Sequence, residues 1–160
     1  MNFVEWVENS SLSLWMADSI WAYPIVLATH AVGMSIVVGT IIIIDLRVLG
    51  YASQVRLTSF NNVLIATWFG AILNFLSGVA LFTVDPEHFL YHPIFWTKIG
   101  LVIAGLLFVY LLLRELKASG QDTSERIESS RKAKTIASLS MLLWLGAIVA
   151  GRLIAYVEVN

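Results

Sequence analysis

The chain has 160 residues, of which 58% are hydrophobic and only 13% are charged, and its mean hydropathy is +0.80. Soluble domains carry about a quarter charged residues, so this composition indicates that lipid is the solvent of most side chains. The net charge of −1 gives no electrostatic case for nucleic acid as a partner. The absence of cysteine excludes disulfides, thiolate metal sites and cysteine nucleophiles. The length fits one transmembrane domain over residues 1–160.

The segment before the first apolar run is predicted to be amphipathic and to lie at the membrane interface. Its apolar residues alternate with polar ones and include three tryptophans: Phe3, Val4, Trp6, Val7, Leu12, Trp15, Ile20 and Trp21. Tryptophan is enriched at the level of the lipid headgroups, which supports this interpretation. Residues 1–19 contain no Lys or Arg, and a cleavable signal peptide would need a basic start.

Four segments are long and apolar enough to cross a bilayer: residues 23–44, 62–84, 95–113 and 136–157. A helix needs roughly 20 apolar residues to cross the hydrocarbon core. Backbone groups cannot remain unpaired in lipid, and the segments lack the strict alternation of barrel strands. The sequence therefore predicts an all-α, integral membrane four-helix bundle.

The basic residues predict the orientation of this bundle. Eight of the ten Lys and Arg lie in the first and third connections: Arg47, Arg56, Arg114, Lys117, Arg126, Arg131, Lys132 and Lys134. The positive-inside rule assigns both connections to the cytoplasm, so the topology is N-out and C-out. In a bacterium this predicts a multi-pass inner-membrane protein with both termini in the periplasm.

Small residues predict where the helices pack, because membrane helices associate where their backbones approach closely. The stripes are Gly70, Asn74 and Gly78 in the second span, Gly100 and Ala104 in the third, and Gly146 with Ala150 and Ala147 with Gly151 in the fourth. At the cytoplasmic end of the first span, Asp45 is interpreted as structural, paired with Arg47 or with a basic residue of the third connection.

Four polar side chains inside the predicted spans are candidate functional residues: His30, Asn74, Lys98 and Arg152. An ionisable group within a bilayer is costly and is a functional hypothesis by default. His30 lies roughly 10 Å below the outer boundary at 1.5 Å per residue, which is too deep for an imidazole to reach water. The predicted topology places Lys98 and Arg152 in the same outer half, and Asn74 near the middle of its span.

Each of these residues also has a structural interpretation. His30 can be hydrogen-bonded between helices, and Asn74 can serve only to hold helices together. Lys98 can extend its four-carbon stem to the interface. Arg152 can do the same, or it can pair with Asp85, Glu87 or Glu158.

Together the polar residues predict a binding site for b-type haem. His30 supplies an axial imidazole, Lys98 and Arg152 supply cations near the propionates, and Gly33 leaves room for an edge of the macrocycle. No second histidine lies within a predicted span, which disfavours two buried histidine ligands. A quinone site is the alternative, with His30 or Asn74 bonding a carbonyl oxygen.

The outer connection, residues 85–93, contains a second candidate site. Asp85 followed by Pro86 predicts a helix N-cap with proline at the first position. His88 and His92 then share a face and could hold copper or zinc with Glu87 nearby. The alternatives are that both histidines are surface residues without a metal, or that His92 folds back as a sixth haem ligand.

Several stretches across nearly the whole chain carry a family resemblance. They are Thr29-His30-Ala31-Val32-Gly33 with Gly39, Asp45-Leu46-Arg47-Val48-Leu49-Gly50, Trp68-Phe69-Gly70, Ser77-Gly78-Val79-Ala80-Leu81-Phe82, Pro93-Ile94-Phe95-Trp96-Thr97-Lys98, and Trp144 with Gly151-Arg152-Leu153-Ile154-Ala155-Tyr156. The order resembles an uncharacterised family of small four-helix bacterial inner-membrane proteins, which implies no activity.

A more distant resemblance is to the J-type membrane protoporphyrinogen oxidases, which bind haem. The matching positions are His30 in the first span and Lys98, which closes a Phe-x-x-Lys pattern at the start of the third. This chain departs from them by a longer N-terminus and by Gly151-Arg152 in the fourth span.

The leading functional prediction is a small membrane redox protein, either an oxidoreductase or an electron-transfer subunit, that binds b-type haem or quinone in the outer half of the bundle. The first alternative is a non-redox membrane subunit or transporter-like protein in which the polar residues are structural. The second is a periplasmic copper- or zinc-handling protein. The expected partners are the lipid bilayer and either a second copy of the chain or a redox subunit.

Overall fold

The computed structural model describes residues 2–52, 54, 60–118, 130–154, 156 and 157. These residues form seven helices and no strand: α1 (Phe3–Glu8), α2 (Ser11–Asp18), α3 (Ala22–Leu49), α4 (Phe60–Val84), α5 (Pro86–Tyr91), α6 (Pro93–Ala118) and α7 (Arg131–Leu153). The predicted all-α class is confirmed for this part of the chain. Arg56, Arg126 and Glu158, which entered the predictions of topology and pairing, lie outside the described residues.

Four of these helices are long and apolar enough to cross a membrane: Ala22–Leu49, Val63–Val84, Pro93–Glu115 and Arg131–Leu153. They match the four predicted spans in number and order. The first continues past residue 44 to Leu49, and the last begins at Arg131 rather than at 136. These helices extend beyond the hydrocarbon region, because a helix ends where its terminus is capped. Ser130, in the basic connection, caps the start of α7 by accepting a hydrogen bond from Ala133 N at 3.2 Å.

The predicted interfacial segment consists of two short helices. In α1, Glu5 accepts a hydrogen bond from Asn2 N at 3.0 Å, and Asn2 and Glu5 form a capping box. In α2, the Ser10 hydroxyl caps the first turn by accepting from Ser13 N at 3.3 Å. Most of the apolar side chains of this segment are exposed, including Trp6 at 63% and Trp21 at 73%. Such exposure in a chain of this composition fits contact with lipid.

The described chain forms two compact units, and α3 and α4 contribute to both. The first unit contains Met1–Val37 and Ile65–His92, and the second contains Val38–Leu64 and the residues from Pro93 onward. The boundary within α3 therefore falls between Val37 and Val38.

In the first unit, α3 and α4 pack backbone to backbone. A Cβ atom added at Gly33 would lie 2.7 Å from Asn74 N, and one added at Gly70 would lie 2.7 Å from Ile36 Cγ2. These distances leave no room for any side chain at Gly33. The predicted stripe Gly70, Asn74 and Gly78 is thus a packing surface of α4, since close backbone approach is what holds membrane helices together.

In the second unit, α6 and α7 pack along one another and share a core with the C-terminal part of α3. The buried core residues are Ile44, Val48, Leu112, Ala133 and Ala137. Trp144 of α7 is 2% exposed and packs so closely on Gly105 that an added Cβ would lie 2.9 Å from its ring. Gly100 has nothing within 4 Å of its Cβ position, so this residue of the predicted α6 stripe does not form a close helix contact.

Candidate functional site

The first unit contains a polar cluster formed by His30 of α3 and by Asn74 and Ser77 of α4. His30 Nδ1 lies 3.0 Å from the carbonyl oxygen of Asn74 and 3.1 Å from Ser77 Oγ. In addition, Asn74 Nδ2 donates a hydrogen bond to the backbone carbonyl oxygen of His30 at 2.9 Å. The imidazole and the amide therefore link the two helices in both directions.

The hydrogen-bond partners assign the protonation of the imidazole. Ser77 Oγ lies 2.7 Å from the Leu73 carbonyl, to which it donates its single proton. Ser77 Oγ is then an acceptor toward His30, as is the carbonyl of Asn74. Nδ1 of His30 must therefore carry the proton, and in a neutral imidazole the lone pair lies on Nε2.

The ring of His30 is held in place by packing as well as by hydrogen bonds. A Cβ atom at Gly78 would lie 3.2 Å from His30 Cε1, so the imidazole rests on the backbone of α4 at this residue. Asn74 Nδ2 lies 3.4 Å from Nδ1 and 3.5 Å from Nε2 and so covers the ring. His30 itself is half-buried.

Gly33 lies one turn after His30 and contacts α4 directly. A Cβ at Gly33 would meet Asn74 N, Asn74 Cα and Gly70 O at 2.7 to 3.0 Å. The space beside Gly33, which was predicted to admit an edge of the macrocycle, is filled by the backbone of α4. Gly33 thus brings His30 and Asn74 together by allowing the helices to approach.

Lys98 and Arg152 belong to the second unit, where Lys98 lies beside Gly151, the residue before Arg152. Lys98 is half-buried, and its side chain runs beside Gly151, whose Cβ position is 3.5 Å from Lys98 Nζ. Arg152 is exposed, and its guanidinium carbon lies 5.4 Å from the centre of the Tyr156 ring, a cation–π contact. The structure thus brings together His30, Gly33 and Asn74 in one unit and Lys98 with Gly151 and Arg152 in the other.

The predicted cap of α5 is confirmed, since His88 N donates to Asp85 Oδ1 at 3.0 Å. The rings of His88 and His92 lie 5.1 Å apart between centres, yet His88 is exposed whereas His92 is only 1% exposed. Among the described residues, no group of three or more His, Cys, Asp or Glu side chains could hold a metal ion. The metal site at His88 and His92 therefore stays a prediction with two candidate ligands.

Sequence reasoning missed Ser77 and underestimated Asp45. Ser77 lies three residues after Asn74, so the helical spacing that placed Asn74 on the packing stripe could have included it. Asp45 was interpreted as an ion-pairing residue at the end of a span. In the structure it is 0% exposed, and neither carboxylate oxygen has a hydrogen-bond partner among the described residues.

The helices and the polar cluster define the class of this protein: a small, all-helical membrane protein with four candidate spans and an interhelical histidine site. The chain belongs to a family of unknown function, DUF6644, whose profile matches residues 3–157. The predicted resemblance to an uncharacterised family is consistent with this membership, whereas nothing in it links the chain to protoporphyrinogen oxidases. No curated protein and no solved structure matches the chain.

Proposed function

We propose that this protein is a small redox protein of the bacterial inner membrane, in which His30 is an axial ligand of b-type haem. The observation that carries the proposal is the contact of 3.0 Å between His30 Nδ1 and the carbonyl oxygen of Asn74. Histidines that bind metals almost always donate their second ring N–H to a carbonyl, a carboxylate or water. This contact leaves the lone pair on Nε2, and the iron would bind there in place of the contact of 3.5 Å with Asn74 Nδ2.

The surroundings of His30 support the fit of an axial ligand. Gly78 and the Ser77 hydroxyl restrain the ring, and such restraint lowers the cost of orienting a ligand. Bound haem would supply one-electron chemistry, because its iron cycles between two oxidation states. The protein would hold the iron through His30 of the first unit. Gly33 packs on α4 and would not contact the group.

The proposed orientation is N-out and C-out, with both termini in the periplasm. The described basic side chains at the proposed cytoplasmic ends of the spans are Arg47, Arg114, Arg131, Lys132 and Lys134. An excess of Lys and Arg in short connections is the established determinant of a cytoplasmic location. In this orientation His30 lies in the outer half of the bilayer, on the side from which a periplasmic redox partner or a quinone would exchange electrons.

A non-redox role for the same cluster is the second candidate, and a specific observation favours it. His30 forms hydrogen bonds with Asn74 and with Ser77 across α3 and α4. Polar side chains that pair in this way between membrane helices contribute about 0.6 kcal/mol each on average and need no ligand. In this case the cluster serves only to align the two helices in a membrane subunit or transporter-like protein.

The absorbance spectrum of the purified protein separates the two functions. The full chain is produced in cells supplied with a haem precursor, purified in mild detergent and examined for a Soret band that shifts on reduction with dithionite. We expect the band in the wild type and in His88→Ala, because His88 is an exposed residue outside the cluster. We expect its loss in His30→Ala.

A second variant distinguishes loss of the iron ligand from loss of the fold. His30→Gly leaves a gap in which free imidazole can replace the side chain, so added imidazole should restore the Soret band. Far-UV circular dichroism and gel filtration report whether each variant is folded. A colourless, folded wild type that does not take up added haemin refutes the proposal, and so does a spectrum unchanged in His30→Ala.

A quinone site would give a different result. The folded protein would be colourless yet would retain quinone, extractable with organic solvent, and replacing Ser77 or Asn74 would reduce the amount retained. This outcome would show that the cluster of His30, Asn74 and Ser77 binds quinone rather than haem.

A further inference from the structure

The second unit buries a carboxylate on the packing face of α3. The residues of this face lie one helical turn apart and are almost completely buried: Val38, Ile41, Ile44, Asp45 and Val48. Asp45 is 0% exposed and interrupts this otherwise apolar face. It packs beside the core residues Ile44 and Val48, which contact α6 and α7.

The packing face of α7 buries two further polar side chains. Its buried residues follow the helical repeat: Ala133, Ala137, Ser140, Trp144, Ala147 and Ala150. Ser140 is 0% exposed and Trp144 is 2% exposed. Ala133 and Ala137 pack in the same core cluster as Ile44 and Val48, so this face of α7 lies against the face of α3 that bears Asp45.

These polar groups are buried without hydrogen bonds. Asp45 Oδ1, Asp45 Oδ2, Ser140 Oγ and Trp144 Nε1 have no hydrogen-bond partner among the described residues. The Ser140 hydroxyl is the neighbouring polar group of the Asp45 carboxyl, but the two do not reach hydrogen-bond geometry. Three oxygen atoms, two of Asp45 and one of Ser140, are thus buried in the second unit without a hydrogen-bond partner among the described residues.

A buried carboxylate without a cation is expensive, and the effective cost in proteins is several kcal/mol per ion. Among the side chains that the structure describes, the charged ones at this end of the three helices are Arg47 of α3, Arg114 and Glu115 of α6, and Arg131, Lys132 and Lys134 of α7. None of them lies within hydrogen-bond distance of the Asp45 oxygens. Lys132 instead pairs with Glu115 at 2.7 Å.

We propose that Asp45 and Ser140 form a binding site for a monovalent cation inside the second unit. A single carboxylate balances a single positive charge, and the carboxylate and hydroxyl oxygens are the ligands that hard cations prefer. Two cations share this chemistry: a proton on a carboxylate oxygen, or an alkali ion between the carboxylate and the hydroxyl. Trp144 Nε1–H is a donor and cannot be a ligand of a cation.

Reaction with a hydrophobic carbodiimide tests the site, because this reagent modifies protonated carboxyl groups in apolar surroundings. The purified full chain is labelled with dicyclohexylcarbodiimide, and the modified residues are identified by peptide mass spectrometry. We expect labelling of Asp45 in a buffer that contains choline as its only added cation. Exposed Asp18 serves as the internal control, since a carboxylate in water should remain unlabelled at neutral pH.

The same assay distinguishes the two cations. An alkali ion predicts that NaCl or KCl protects Asp45 while choline chloride does not. Ser140→Ala should then need about tenfold more of the ion, because a lost oxygen contact to a charged group is worth at least about 1.4 kcal/mol. A proton predicts labelling that is indifferent to NaCl and KCl and that falls as the pH is raised.

Two results would overturn the proposal. In one, Asp45 is unlabelled in the folded wild type in all buffers and at all pH values tested. In the other, labelling occurs only after Arg47→Gln, which would make Arg47 the counter-ion of Asp45, one of the two pairings that the sequence allowed. The test is made on the wild-type protein by peptide mapping, so its outcome does not depend on whether any Asp45 variant folds.

Discussion

The contact between α3 and α4 at Gly33 allows a stability prediction to be worked out from the structure. In Gly33→Ala, the new Cβ would lie 2.7 Å from Asn74 N, whereas ordinary contacts begin at 3.4 Å. An ordinary contact at 3.4 Å would need the helices to separate locally by 0.7 Å. The atoms in contact belong to the backbone, so no flexible side chain can move away instead.

The expected cost of this separation follows from overpacking. Such changes cost about 1–3 kcal/mol, and the better helix propensity of alanine returns up to about 1 kcal/mol. We therefore expect a net loss of about 1–2 kcal/mol, which corresponds to a factor of about 5–30 in the unfolding equilibrium constant. The same separation would lengthen the contact between His30 and Asn74.

Gly39→Ala is the matched control, because Gly39 lies on the same helix and has nothing within 4 Å of its Cβ position. This variant should be neutral or slightly more stable. Both variants and the wild type are unfolded reversibly with sodium dodecyl sulfate in mixed micelles, and helicity is followed by circular dichroism. The reasoning is refuted if Gly33→Ala proves as stable as Gly39→Ala.

Three further predictions concern the second unit. Gly105→Ala should destabilise the protein by about 1–3 kcal/mol and shift the fluorescence of Trp144, because the new Cβ would lie 2.9 Å from the indole ring. Ser130→Ala removes the cap of α7 and should cost about 1 kcal/mol, with faster amide exchange in the first turn of that helix. Glu115→Gln breaks the contact of 2.7 Å with Lys132, but this lysine is 71% exposed, so the loss should stay below about 1 kcal/mol and vanish in high salt.

Each of these predictions has a contradicting outcome. Gly105→Ala should differ from Gly100→Ala, where the Cβ position is open, and equal stabilities would refute the packing argument. Unchanged exchange in Ser130→Ala would mean that another group satisfies the first turn of α7. A loss well above 1 kcal/mol in Glu115→Gln, or one insensitive to salt, would mean that this ion pair is shielded from solvent.

The haem and cation proposals rest on different atoms and fail separately. The haem proposal depends on His30 in the first unit, and the cation proposal depends on Asp45 in the second. Loss of the Soret band in His30→Ala carries no information about carbodiimide labelling of Asp45. Conversely, a colourless wild type that is labelled at Asp45 would leave the cation site intact and favour the non-redox function.

The sequence alone determined the features of this protein that depend on local physics. Four apolar runs of membrane-spanning length predicted four long helices, because lipid leaves backbone groups no partner outside the helix. Asp85 followed by Pro86 predicted the start of α5, because a cap depends only on adjacent residues. His30 and Asn74 were identified as unusual because polar groups are rare in such segments.

Only the tertiary structure decided how these residues meet. α3 and α4 are apolar around their whole circumference, so their sequence periodicity does not mark which face packs. His30 contacts the Asn74 carbonyl and Ser77, which lie 44 and 47 residues later in the sequence. These contacts depend on how α3 and α4 are rotated and aligned relative to each other. The same dependence explains why the complete burial of Asp45 in the second unit could not be predicted from its position at the end of a span.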